Sequence, residues 1–146
     1  MKSIFIVLVT LFFSTQLIAE DKEHDIDGYT TYEDAYNALK GNPQAQFLTK
    51  NGWIIVNIEE ANDFTVWSFT PETHAAHPAV VKRKMVKKDD VIYIDMKGIC
   101  DADKPECDKL FTKFEEMNNN ITEKMQSGTA VHEKIPLIFQ RLSAQV

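Results

Sequence analysis

Tyr32, Ala35, Tyr36 and Leu39 recur at intervals of three and four, which predicts a short helix from Tyr32 to Leu39 with one apolar face. Thr31, with Asp34 three residues on, resembles a capping box at its start, and Gly41-Asn42-Pro43 stops it. The hydrophobic period then changes. Gln46 to Thr49 predicts a short strand, Asn51-Gly52 a two-residue hairpin turn, and Trp53 to Ile58 a second strand. Glu60-Ala61-Asn62-Asp63 makes the next turn before a strand at Phe64 to Phe69. After an irregular stretch, strands at Ala79 to Lys87 and Val91 to Met96 flank a turn at Lys88-Asp89-Asp90. In the last strand Ile92, Ile94 and Met96 share a face, as expected if a helix covers it. The clearest element follows. Asp103 is placed to cap a helix, Pro105 sits in its first turn and Glu106 completes the capping pattern. Cys107, Leu110, Phe111, Phe114, Met117, Ile121 and Met125 then form a sustained apolar stripe, with Gly128 as its end. Beyond it, Pro136 precedes Leu137, Ile138, Phe139 and Leu142, expected to dock on the core or, alternatively, on a partner. This order predicts an α+β fold: an antiparallel meander of four to five strands, covered by an N-terminal helix and a long C-terminal helix.

The N-terminus has a different character. Lys2 precedes an apolar run from Ile4 to Phe13, then Ser14-Thr15-Gln16 and Leu17-Ile18-Ala19, before the charged Glu20-Asp21-Lys22-Glu23. That sequence of regions predicts a secretory signal peptide over residues 1–19, cleaved after Ala19. The run is short of the roughly 20 apolar residues that cross a bilayer, and no cysteine follows the site to carry a lipid. No stable membrane anchor is therefore expected after cleavage. Residues 20–28 read as a flexible acidic leader, and residues 29–146 as a single α+β domain. Lys2 is the only charge in the first nineteen residues, so cleavage takes the formal net charge from −6 to −7. An acidic chain is poorly suited to neutralising phosphates, which argues against nucleic acid as a partner. The expected location is the periplasm or the extracellular space.

Export gives meaning to the two cysteines, Cys100 and Cys107. In an oxidising compartment a close, isolated pair reads as one disulfide. Closing so short a loop stabilises a fold by about 2.5 kcal/mol on the chain-entropy estimate. The alternatives are a thiol-redox pair, more usually spaced Cys-x-x-Cys, or half of a metal site that no nearby Cys or His completes. The acids around the pair, Asp101, Asp103, Glu106 and Asp108, lack the regular ligand alternation and glycine of a calcium-binding EF-hand loop.

Candidate chemistry concentrates in the irregular connection Thr70 to Pro78. Glu72, His74 and His77 are the residue types that ligate a divalent metal or exchange protons near neutral pH. The pair of histidines lacks the helical His-Glu-x-x-His arrangement, and Pro78 biases His77 away from helical geometry, so the expected default is hydrogen-bonded loop histidines. Lys82-Arg83-Lys84, continuing to Lys87-Lys88, is a basic run in an acidic protein. It reads as a solvent-facing or edge strand, with docking of an anionic partner as the alternative. Strand alternation would separate Lys82, Lys84 and Lys88 from Arg83 and Lys87. Trp53, Trp67 and Phe69 are expected in the core rather than on a recognition surface. Asn120-Ile121-Thr122 fits a glycosylation sequon in a helical setting. Ser68, Ser127 and Ser143 lie in no nucleophile elbow, and no glycine-rich phosphate loop is present. No cofactor is called for.

Trp67-Ser68-Phe69-Thr70-Pro71, His74, His77-Pro78, Val81 and Arg83, followed by Tyr93-Ile94-Asp95-Met96 and Cys100 through Cys107-Asp108, resemble small exported bacterial proteins of no assigned activity. The resemblance runs from Trp67 to Asn118 and implies a bacterial periplasmic setting without a catalytic role for any residue. Together these features lead to the expectation of a non-catalytic module that binds another envelope or secreted protein, such as an inhibitor, an immunity protein or an assembly accessory. A metal-binding protein or metal-dependent hydrolase using His74 and His77 is the alternative reading, and a thiol-redox protein using Cys100 and Cys107 a second one.

Overall fold

The computed structural model describes residues 25–61, 63–88 and 91–127. The expected signal peptide, the first part of the leader, the Gly128 helix stop and the apolar segment after Pro136 lie outside them. The elements are α1 (Tyr32–Lys40), β1 (Gln46–Lys50), β2 (Trp53–Glu60), β3 (Asp63–Phe69), β4 (Ala79–Lys88), β5 (Val91–Cys100) and α2 (Lys104–Gln126). The strands form one five-stranded antiparallel sheet in the order β1-β2-β3-β4-β5. The expected α+β meander with a short and a long helix is the fold observed.

Local chemistry accounts for most boundaries. Thr31 caps α1 by accepting a hydrogen bond from the Asp34 amide at 3.1 Å. Asn51 and Gly52 both have positive φ, +49° and +82°, the geometry a type I′ hairpin turn requires between β1 and β2. Two boundaries differ from expectation. Strand β5 runs on through Lys97-Gly98-Ile99 to Cys100, paired with Ala79–Lys82. Gly98 in this extension lies against α2: a Cβ there would lie 2.2 Å from the Phe111 ring. At the start of α2, Asp103 occupies the N-cap position but its side chain makes no capping bond. Its carbonyl accepts from the Glu106 and Cys107 amides, and the Glu106 carboxylate pairs with Lys109.

Strand alternation sends consecutive residues to opposite faces, and here both faces are covered. On one, Trp53, Ile55, Phe64, Val66 and Val81 pack with Leu110, Phe114 and Ile121 of α2. On the other, Val56, Trp67, Phe69, Val80 and Ile99 pack with Ala35 and Leu39 of α1. Both tryptophans and Phe69 are core residues, as expected. The disulfide Cys100–Cys107, with Cα atoms 5.9 Å apart, joins the last residue of β5 to the first turn of α2. Segment 25–29 belongs to the α1 layer. Ile26 is fully buried and exchanges backbone hydrogen bonds with Tyr29, while Asp27 pairs with Lys82. Ile26, within the leader expected over residues 20–28, thus lies in the core of this layer.

The close approach at Gly98 makes a sharp prediction. Gly98→Ala must displace the Phe111 ring or part β5 from α2, an overpacking that should cost about 1–3 kcal/mol in urea unfolding. Gly41→Ala, where the nearest atom is 3.5 Å from an added Cβ, should cost far less and serves as the control.

Candidate functional site

The connection between β3 and β4 folds over the end of the sheet and reaches both faces. Thr70 anchors it: the buried Oγ1 accepts from the Ala79 amide at 2.9 Å and donates to the Ala79 carbonyl at 3.1 Å. With its hydrogen used on Ala79, Thr70 Oγ1 can only accept from His77 Nδ1, 3.2 Å away. The Thr70 carbonyl, 3.0 Å from the same nitrogen, can also only accept. The network therefore assigns the proton to His77 Nδ1. The His77 ring packs edge-on against Tyr32, on the α1 side. Tyr32 also reaches the Thr70 carbonyl, and burial, with smaller contributions from Tyr36, Glu33 and Glu72, raises its phenol above the ordinary value.

His74 turns the other way. Its ring packs on Trp53, in the α2 layer, and its Nδ1 accepts from the Ala76 amide at 3.0 Å. Burial first and Lys113 second push its pKa below the ordinary imidazole value. The two histidines thus serve different layers with opposite tautomers. A metal at His74 Nε2 would move the proton to Nδ1 and break the bond from Ala76. Glu72 is exposed in the same loop. Among the described residues no group of three or more His, Cys, Asp or Glu gathers as metal ligands do.

The basic run is dispersed by the sheet. Strand β4 lies between β3 and β5, which corrects the edge-strand reading. Lys82 pairs with Asp27 and covers the Trp67 ring, with Nζ 5.4 Å from its centroid, and Lys84 pairs with Asp63 at 2.8 Å. Arg83 is no surface residue at all. It is 0 % exposed, and its guanidinium carbon lies 4.9 Å from the centroid of Phe114 on α2. Burial lowers its pKa to about 10, so it stays charged at neutral pH. None of its three side-chain nitrogens has a hydrogen-bond partner among the described residues. The sequence placed Arg83 opposite Lys82 and Lys84, but nothing in the local pattern announced its burial.

Asn57, Ser68 and Asn118 were not singled out by their neighbourhood in sequence. Cross-strand register puts Asn57, Val66, Arg83 and Met96 in one row across the sheet, on the face that α2 covers. Ser68 lies two residues from Val66 on the same face, and Asn118 donates to Met96 Sδ at 3.5 Å. Asn57 Oδ1, Ser68 Oγ and Asn118 Oδ1 are buried without hydrogen-bond partners among the described residues, as the Arg83 nitrogens are. Beside this row, Met96, Lys97, Gly98, Phe111 and Glu115 line a cavity of about 210 Å³.

The sheet's outer strands present a different kind of surface. Phe47 and Leu48 on β1 are 39 % and 47 % exposed, and Val91 and Tyr93 on β5 are 47 % and 38 % exposed. Comparison with protein-family models, with curated proteins and with solved structures finds no match.

Two outcomes test these assignments. The His74 imidazole should titrate below the ordinary value by NMR. Because the unfolded chain takes up that proton first, its contribution to stability is complete above about pH 6.5 and is lost as the pH falls toward the lower folded value. Urea midpoints should drop over that interval, and His74→Asn, whose Oδ1 replaces Nδ1 as the acceptor for Ala76, should flatten that part of the profile. Arg83→Met removes an uncompensated buried charge while keeping apolar bulk over Phe114, so its stability should equal the parent's or exceed it by about 1–4 kcal/mol.

Proposed function

We propose that this chain is a small exported protein of the bacterial periplasm, or a secreted one, that binds another envelope or secreted protein without catalysing a reaction. An inhibitor, an immunity-type protein and an assembly accessory are the kinds of role this describes. The observation that carries the reading is the β1 edge. Strand β1 pairs with β2 and with no other strand among the described residues, and an outer strand of this kind is where a partner's strand can add. Phe47 and Leu48 point to opposite faces of it and give an incoming strand an apolar contact on each side. Of the five residues of β1 only Lys50 is charged, which leaves little to repel a partner. Main-chain pairing of this kind gives affinity, and the two apolar side chains give selectivity.

Other features agree with this reading. A single disulfide suits an oxidising compartment, and its buried position between β5 and α2 supports a structural rather than a redox role. The histidine loop spends both Nδ1 atoms on holding the end of the sheet together.

The exported chain, used as bait in its native envelope extract, should capture a stoichiometric partner that survives a chelator. Phe47→Lys combined with Leu48→Lys, at exposed sites, should abolish capture with little change in melting temperature. Equal capture by that variant would remove β1 as the contact, and capture lost only on chelation would turn attention to His74 and His77.

A further inference from the structure

Apart from Met1, the methionines of the chain are Met85, Met96, Met117 and Met125, and all of them pack half-buried against the core on the α2 face. Two observations meet at Met96. It lines the cavity of about 210 Å³ at β5, beside Lys97, Gly98, Phe111 and Glu115. Its Sδ also accepts a hydrogen bond from Asn118 Nδ2 at 3.5 Å. Since a single water molecule needs only about 10–15 Å³, the cavity has room for a small peroxide, and the charged Lys97 and Glu115 favour polar contents. Asn118 is buried, and a thioether is a weak acceptor for its amide. The donor is therefore held by less than it can use.

We propose that Met96 is a reversible oxidation site, at which a hydroperoxide entering the cavity converts the thioether to a sulfoxide whose oxygen accepts from Asn118 Nδ2. A sulfur lone pair attacks the terminal peroxide oxygen, and the S–O bond forms as the O–O bond breaks. The sulfur loses two electrons and the peroxide gains them. The proton of the transferred oxygen passes to the leaving oxygen, which departs as water or an alcohol. Reduction by two thiols returns the thioether, forming one disulfide and releasing the oxygen as water; methionine sulfoxide reductases catalyse this step.

In most cores a sulfoxide inserts a polar group without a partner and disrupts packing. At Met96 a donor already touches the sulfur, and the unbranched side chain can turn the new oxygen toward it within the cavity it lines. The amide also covers one side of the sulfur. The oxidant is left the other side, so one of the two sulfoxide epimers should predominate. The site lies at β5, the opposite edge of the sheet from β1, and so is independent of the partner surface proposed above.

Hydrogen peroxide treatment of the folded exported chain, followed by peptide mapping with mass spectrometry, tests the site. Sulfoxide should form at Met96 ahead of Met85, Met117 and Met125. The two Met96 epimers, told apart by the two stereospecific reductases acting on the isolated peptide, should differ in amount by about fivefold, the ratio that one hydrogen bond supports. Peroxide treatment of the chain unfolded in urea should remove that preference. Oxidation confined to Met96 should leave the wild-type urea midpoint unchanged or raise it, and should lower the midpoint of Asn118→Leu. Oxidation of Met96 no faster than that of the other methionines overturns the proposal. So do equal amounts of the two epimers from the folded chain, or the same fall in midpoint with and without the Asn118 amide. Should Asn118→Leu not fold, the order of oxidation and the epimer ratio in the wild-type chain decide the matter.

Discussion

The Cys100–Cys107 bridge fixes the first turn of α2 to the end of β5, and the direction that α2 then takes decides how one whole face of the sheet is buried. From that tether the helix lays Leu110, Phe114 and Ile121 across β2, β3 and β4, each contributing roughly 1.5–3 kcal/mol of burial. The approach is close because Gly98 has no side chain to hold Phe111 away. Covalent tether, glycine contact and apolar stripe act on the same few residues, so the register of helix on sheet has little freedom to slide.

The opposite face is closed by smaller means. Helix α1 contributes only Ala35 and Leu39 to the buried core, and the remaining area is covered by Ile26 and by the aromatic rings of Tyr29, Tyr32 and Tyr36. Tyr32 and Tyr36 both meet Phe69 edge-on, with centroids 5.1 Å and 5.5 Å away, and Tyr29 meets Trp67. Antiparallel sheets often leave one face to water, and this one leaves neither. The consequence reaches the outer strands. Helix α2 meets β5 in its second half, where Gly98 lies against Phe111, and β1 and the first half of β5 keep large apolar side chains partly exposed. The surface proposed for a partner is thus a by-product of where the two helices reach.

The same two-sided burial explains why the histidine loop and the basic run came apart in space. A loop crossing the end of a covered sheet must satisfy its polar groups on each side separately, and His74 and His77 do so with Trp53 and Tyr32. A basic strand with both faces covered cannot present its charges together. Lys82 and Lys84 find Asp27 and Asp63, while Arg83 enters the α2 layer and sets its guanidinium over the Phe114 ring.

What the chain determined by itself is local. The capping of α1 by Thr31, the Asn51-Gly52 turn, the apolar stripe of α2 and the pairing of the two cysteines follow from dihedral preference, side-chain reach and hydrophobic period over a few residues. These fix which elements form and in what order. Tertiary structure alone decided that α1 and α2 take opposite faces, that Gly98 continues a strand, that Ile26 joins the core and that Arg83, Asn57, Ser68 and Asn118 share one buried layer. A residue's period reports which side of its own element it occupies, whereas burial depends on what packs against that side. For Arg83 the covering group is Phe114, thirty-one positions away, and no pattern within the basic run encodes it.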